Sequence, residues 1–403
     1  MRILLFNTLY YPRFVGGAEI SVQLLAEALV EEGEQVYVIT LGDADETEMV
    51  NGVQVNRIKQ RSIFPLYDGK KRNSFLKSIW HILDSENPFY HKKITELIAY
   101  IKPDIVHTHN IQGFSPVIWR SIKKKNIPLI HTMRDYYLLC HRNNMYNNGC
   151  NCCQLCKACQ VTHRIKRKFL KFPDVWVGIS SFILKKHDLF VQYAPRQKQQ
   201  VIYNAVNTEE YTIPLKVCPQ KVRLGFMGRI TEDKGLNYLA QELKKVQQVM
   251  PNSFSIYLAG RGEETYISQL TEALEGLDFE FFGVVKPKDF YQKVDVSIVP
   301  SKWDEPFGRV VVESLAHHVP VCLAAIGGLK ELHNDDCTWL FEPGKSELSE
   351  LLMEILANRS LIEDKARNSK AHANTFSVRK NVDEHLNLYR EIKKARRTLL
   401  AFS

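Results

Sequence analysis

Short apolar runs alternate with helical periodicity along most of the chain. Residues 2–7 (RILLFN) form one such run, and in 17–32 (GAEISVQLLAEALVEE) Ile20, Leu24, Leu25, Ala28 and Leu29 recur at helical spacing until Gly33 ends the helix. The run VYVIT at 36–40 follows. A strand, a helix and a second strand in that order predict parallel pairing, because parallel neighbours need a long crossover. The pattern recurs with IVHTH at 105–109, PLIHT at 128–132, VWVGIS at 175–180 and QVIYNA at 200–205. After a polar, Pro-containing bridge (TIPLKVCPQK, 212–221) it restarts with VRLGFMG at 222–228, FSIYLAG at 254–260, EFFGV at 280–284, VSIVPS at 296–301 and VPVCLA at 319–324. The expectation is an α/β protein of two Rossmann-like parallel-sheet domains, 1–203 and 204–377. A final helix over 378–403, with no strand after it, is expected to pack back on the first domain.

Length agrees with two domains: 403 residues exceed what one ordinary core organises. With 45% hydrophobic and 25% charged residues the chain is neither disordered nor fibrous by composition. No apolar run reaches the roughly 18–20 residues of a membrane-spanning helix. MRILLF is followed at once by Asn7, Tyr11 and Pro12, so it reads as a first strand and not a signal peptide, and a cytoplasmic location is expected.

The net charge of +9 is uneven: residues 1–200 hold 28 Lys and Arg against 17 Asp and Glu, and the remainder 26 against 28. Two stretches concentrate it, Lys70-Lys71-Arg72 leading into FLKSIW, and RIKRKFLKF at 164–172, where Phe169, Leu170 and Phe172 interleave with the cations. Such segments suit an anionic bilayer surface, a polyanionic acceptor or nucleic acid, or are simply solvated helix faces.

In doubly wound sheets ligands bind at the carboxyl ends of strands, where loops present backbone N–H groups and helix N-termini. Gly16-Gly17 lies between the first strand and first helix, without the G-x-G-x-x-G fingerprint; it reads as a close backbone approach or a plain turn. Gly228-Arg229 ends the strand at 222–228, and Lys234-Gly235 opens the next helix. Two cations there suit a diphosphate. In SKWDEPFGRVVVES, Glu305-Pro306-Phe307-Gly308 marks a loop entering a helix that contains Glu313. Carboxylates beside Val310, Val311 and Val312 are expected to be partly desolvated and to find their partner in a ligand. Gly327-Gly328 supplies one more backbone-exposing loop.

Six of nine cysteines fall between 140 and 159. In a reducing compartment this density reads as metal ligation before disulfides, and the three-residue spacing of Cys150, Cys153, Cys156 and Cys159 suits one tetrahedral zinc ion, with Cys140 or His141 as substitutes. An iron–sulfur cluster and free thiols are the other readings.

The order of these motifs resembles the retaining glycosyltransferases of the GT-B fold. The likeness runs through GGAE (16–19), DIVHTHN (104–110), VIYNAVNTEEY (201–211), GFMGRITEDKG (225–235), LAGRGEE (258–264), FFGV (281–284), VPSKWDEPFGRVVVES (299–314) and GGLKEL (327–332). It implies two sheets facing across a cleft, with the nucleotide-sugar donor on the second domain and a saccharide or undecaprenyl-type lipid-linked acceptor on the first. It implies that Arg229 and Lys234 bind and stabilise the donor diphosphate, that Glu305 holds the sugar and Glu313 the ribose, and that His109 lies near the transferring sugar. Gly16, Gly17, Phe307, Gly308 and Gly328 complete the donor cradle.

The resemblance also implies retention of configuration with a UDP- or GDP-sugar, no active-site metal and a role in surface polysaccharide synthesis; contact with the inner membrane surface is expected from the charge alone. The sole D-x-D, Asp43-Ala44-Asp45, lies in an acidic loop. Three positions depart from the family pattern: Asn204-Ala205 for Asn-Gly, His317-His318 for a small residue and Gly, and Arg134-Asp135-Tyr136 for His-Asp-aromatic. The competing readings are a nucleotide-sugar hydrolase or epimerase on the same fold, and a zinc-containing nucleic-acid binder that leaves the second domain unexplained.

Overall fold

The structure is a computed structural model that describes residues 1–66, 73–208 and 221–401, with side chains described to residue 396. Lys70-Lys71-Arg72, and the bridge 212–221 apart from Lys221, lie outside the described residues. The chain forms two compact units. The first comprises Met1–Met145, Cys153–Ala205 and the segment from Val378 onward; the second comprises Tyr146–Cys152 and Val206–Ser377.

The first unit is organised on β1 (Arg2–Phe6), β2 (Gln35–Gly42), β3 (Glu46–Val50), β4 (Val53–Lys59), β5 (Ile105–Thr108) and β6 (Leu129–Met133). The short strands β7 (Tyr146–Asn147) and β8 (Cys150–Asn151) pair only with each other, as a hairpin, and β9 (Val175–Gly178) and β10 (Lys198–Val201) complete the first sheet. Its order is β10-β9-β6-β5-β1-β2-β4-β3, parallel throughout except for β3 against β4. Parallel strands are covered on both faces, which is why Ile3, Leu4, Leu5 and Phe6 are all fully buried. Neither β3 nor β4 was expected, because ETEMV is too polar to read as a strand; the missed signal is Asn51-Gly52, with φ of 47° and 80°, the hairpin turn that joins them.

The last helix, Val378–Ala401, packs into this core as expected. Val382, Leu386, Leu388 and Tyr389 join Leu25, Leu29, Val36 and Ile105 in one apolar cluster. The Tyr389 hydroxyl lies 2.7 Å from His107 Nδ1, and Lys393 pairs with Asp104 at 2.8 Å.

The second unit carries β11 (Val222–Met227), β12 (Phe254–Ala259), β13 (Phe279–Phe281), β14 (Val296–Val299), β15 (Val321–Ala324) and β16 (Thr338–Phe341), all parallel, in the order β13-β12-β11-β14-β15-β16. In each sheet the strand order reverses at one place, β1/β5 in the first and β11/β14 in the second. Ligand crevices in doubly wound sheets open at the carboxyl ends of such strands.

Candidate active site

In the second unit the residues after β11 and β14 converge as anticipated. Backbone geometry sets this up: Gly235 has φ of +76°, and a Cβ there would lie 1.9 Å from the carbonyl oxygen of Pro300, so the turn carrying Lys234 presses directly on the β14 loop. Lys234 forms an ion pair with Glu305 and sits over the Trp303 ring at 4.8 Å. Ser301 Oγ donates to the same Glu305 oxygen, Oε1, at 2.7 Å, and Oε2 accepts no hydrogen bond from the described residues. The Arg229 side chain is half exposed beside the chain turn, 3.7 Å from Asp233.

Helix Arg309–Ala316 begins at Gly308, whose φ of +117° and close approach to Leu329, 2.4 Å from a notional Cβ, leave no room for a side chain. Glu313 accepts from Arg309 at 2.9 Å one turn earlier. Each nearly buried carboxylate already has a cation of the protein beside it, Lys234 for Glu305 and Arg309 for Glu313, because an unpaired one is costly. Arg309 was readable four residues before Glu313, the spacing that puts two side chains on one helix face.

Gly327 and Gly328 hold the Glu305 loop from behind. The Gly328 N–H donates to the Glu305 carbonyl at 2.6 Å, so that amide is engaged within the protein. The Phe307 ring is buried and packs edge-on against Phe376 at 5.8 Å, which anchors the loop. His318 stands at φ +57°, a left-handed position where glycine is the easy choice, which accounts for the glycine of the family pattern but not for the histidine here.

The first unit brings together a second constellation at the ends of β1, β5 and β6. Gly16 caps helix Gly17–Glu31 and donates its N–H to Glu19 at 2.9 Å. Glu19 is buried; burial pushes its carboxyl up, opposed by the N–H groups of Gly16, Glu19 and Val15 and by Arg134. Glu19 was quoted within GGAE but given no role, since sequence alone does not show a helix-capping carboxylate to be buried.

His107 is satisfied on both ring nitrogens, by Tyr389 and by Thr132 Oγ1 at 2.7 Å each, and is a core residue. His109 differs: Arg134 Nε donates to its Nδ1 at 3.3 Å, and its buried Nε2 has no partner among the described residues. Burial above all, then His107 and Arg134, hold it well below the usual histidine range, so the ring is neutral. With Nδ1 accepting, the proton lies on Nε2, an unused donor. Arg134 also bonds Asn204, so one sequence departure, Arg134, joins the asparagine shared with the family pattern to His109. Beside it Asp135, pushed up to about 6 by burial, accepts from Tyr137 N at 2.8 Å.

Two other expectations change. In the 164–172 stretch Lys166, Phe169 and Leu170 are buried, so two of the three interleaved apolar residues face the core, and Phe172 is half-buried. Among the cysteines, Cys150 and Cys153 are exposed and outside any ligand group, while Cys159 meets Cys140 and His141, their ligand atoms all within 4.8 Å. A hydrogen bond from Cys159 lowers the Cys140 thiol to about 5.

Residues 221–358 match the family described as glycosyl transferases group 1, and residues 15–210 match glycosyltransferase family 4. The chain belongs to this family of glycosyltransferases and has the GT-B fold. An uncharacterized 42.6 kDa protein in the cps region of Klebsiella pneumoniae is 36% identical over 336 residues, 82% of this chain and 87% of that protein. Among solved structures, sucrose-phosphate synthase from Thermosynechococcus elongatus superposes with a TM-score of 0.79 at 19% identity, over 98% of this chain and 99% of that one. Anabaena HepE in complex with UDP and glucose gives 0.72 at 19% identity, over 97% and 100%.

Proposed function

We propose that this glycosyltransferase moves a sugar from a nucleoside-diphosphate sugar to a saccharide or lipid-linked acceptor, with retention of configuration, in the synthesis of a surface polysaccharide. The observation that carries it is the Lys234–Glu305 pair at the ends of β11 and β14, with Arg229 on the same turn and Glu313 on the helix that follows. Lys234 and Arg229 neutralise the diphosphate as the bond from the anomeric carbon to its oxygen breaks, the kind of preorganised electrostatic aid that dominates many catalysed reactions. The acceptor oxygen bonds the same carbon from the same face, and its proton passes to the departing phosphate oxygen. Glu305 Oε2 is the oxygen left to receive a sugar hydroxyl, and Glu313 takes the ribose. The cps-region relative supports the polysaccharide role, and the UDP held by HepE supports a uridine donor.

A thermal-shift panel of UDP-, GDP- and ADP-sugars tests this. A uridine donor at a hundred times its Kd is expected to stabilise the protein by about 2.7 kcal/mol, and Glu313→Ala to remove that shift. No shift with any nucleotide, or an unchanged shift in the variant, would refute the donor assignment.

A lipid-linked acceptor is supported by helix Ser74–Ser85. It buries Trp80 and Asp84 but exposes Phe75, Leu76, Ile79 and Ile82, an apolar stripe with Lys77 among it. The helix packs against Lys157–Arg167, and Lys168 just beyond that helix pairs with Glu86 at 3.2 Å. Apolar side chains flanked by cations suit an anionic bilayer surface. Wild type is expected to sediment with anionic vesicles and Phe75→Glu/Ile79→Glu to stay in the supernatant; equal sedimentation of both would count against this face.

A further inference from the structure

The transfer proposed above makes no use of the Cys140, His141 and Cys159 group, whose ligand atoms stand together as those of a metal site do. Zinc bound to sulfur at about 2.3 Å and to nitrogen at about 2.0–2.1 Å in a tetrahedron places sulfurs roughly 3.8 Å apart and nitrogen and sulfur roughly 3.6 Å apart. Here the three ligand atoms lie within 4.8 Å of one another, and His141 Nδ1 is 3.2 Å from Cys159 Sγ. Convergence on one ion needs shifts of a fraction of an ångström to about one.

A fourth ligand stands beside them. The Cys156 thiol lies outside that group of three but close enough to Cys159, three residues on, to raise its thiol. Cys156 is the N-cap of helix Lys157–Arg167, with no side-chain cap bond, and Cys159 lies in the first turn. A Cys-x-x-Cys at a helix N-terminus favours thiolates, the form that binds metal. We propose that Cys140, His141, Cys156 and Cys159 hold one zinc ion in a closed structural site that clamps the two ends of the excursion 142–155. Four protein ligands leave no open position, so the ion is structural and not catalytic. Three thiolates and an imidazole favour zinc over the hard cations. The excursion bears hairpin β7–β8, where Cys150 is exposed and outside the ligand group.

The test combines metal analysis with thiol mapping on the full chain. Wild type is expected to contain equimolar zinc, lost in Cys140→Ser and Cys159→Ser and retained in Cys150→Ser and Cys153→Ser. Because Cys140 and Cys159 are buried and their variants could misfold, the decisive readout is alkylation of the wild-type protein. Cys156 is exposed, like Cys150 and Cys153, so burial cannot protect it. In zinc-loaded protein Cys156 should resist iodoacetamide while Cys150 and Cys153 react, and chelation should expose it. Equal labelling of all three, iron in place of zinc, a Cys140–Cys159 disulfide in metal-free protein, or zinc loss in Cys150→Ser would each overturn the assignment.

Discussion

Replacing Lys234 by Ala is expected to lower kcat by about 10²–10³-fold, the cost of removing one preorganised charge from a developing anion. It should also destabilise the ligand-free protein. Lys234 and Glu305 are only 14% and 11% exposed, and removing one partner of so buried a pair leaves the other charge uncompensated, a cost of about 3–5 kcal/mol. Both effects are expected from one substitution, so loss of activity alone would not establish a role in transfer. The double variant Lys234→Met/Glu305→Gln separates them. It removes both charges, while the Gln carbonyl can still accept from Ser301, so the melting temperature should recover towards wild type and turnover should not. If turnover returned with stability, Lys234 would be a structural partner of Glu305 and nothing more. Lys234→Arg is not a rescue: the site holds a compact ammonium over Trp303 at 4.8 Å, and a planar fork does not fit the same contacts.

The parts of this site legible in sequence are those dictated by local chemistry. The runs that became β1, β5, β11 and β14 are continuous and apolar because both sheet faces are covered, and the glycines and charges beside them mark the strand ends. What sequence could not show is which polar groups satisfy one another. Glu305 and Glu313 read as carboxylates lacking partners, because Lys234 lies seventy-one residues from the first and Ser301 hides in an ordinary loop. Arg134 and Asn204 lie seventy residues apart and read as unrelated, and only the folded first unit joins them. Spacing favours Cys150, Cys153, Cys156 and Cys159 and leaves Cys140 and His141 as substitutes; the fold sends Cys150 into a hairpin and brings Cys140 and His141 to Cys159. Likewise the basic aromatic stretch at 164–172 could not disclose that Phe169 points inward, since helix and loop there share one composition.

Gly327→Ala is expected to be nearly as damaging as loss of Lys234, although it touches no charge. At φ +55° an alanine costs about 1 kcal/mol in backbone energy alone. The larger effect is steric: its Cβ would lie 2.6 Å from both the N and O atoms of Glu305, backbone atoms with no freedom to swing aside. The adjacent Gly328 is fastened to the Glu305 carbonyl at 2.6 Å, so the glycine loop cannot retreat without breaking that bond. The Glu305 segment must move instead, taking its carboxylate away from Lys234 and Ser301. A displacement of about 1 Å at a reacting centre can cost about 10²-fold, and a loss of that size in kcat/KM is expected. Gly344→Ala is the control, because Gly344 has φ +88° with nothing within 4 Å of a Cβ and so incurs the backbone cost alone. If the two variants lose similar stability but only Gly327→Ala loses the thermal shift with donor, the position of Glu305 is what the double glycine secures. Wild-type kcat/KM in Gly327→Ala would show that the loop accommodates the methyl group and that Glu305 need not sit where the structure places it.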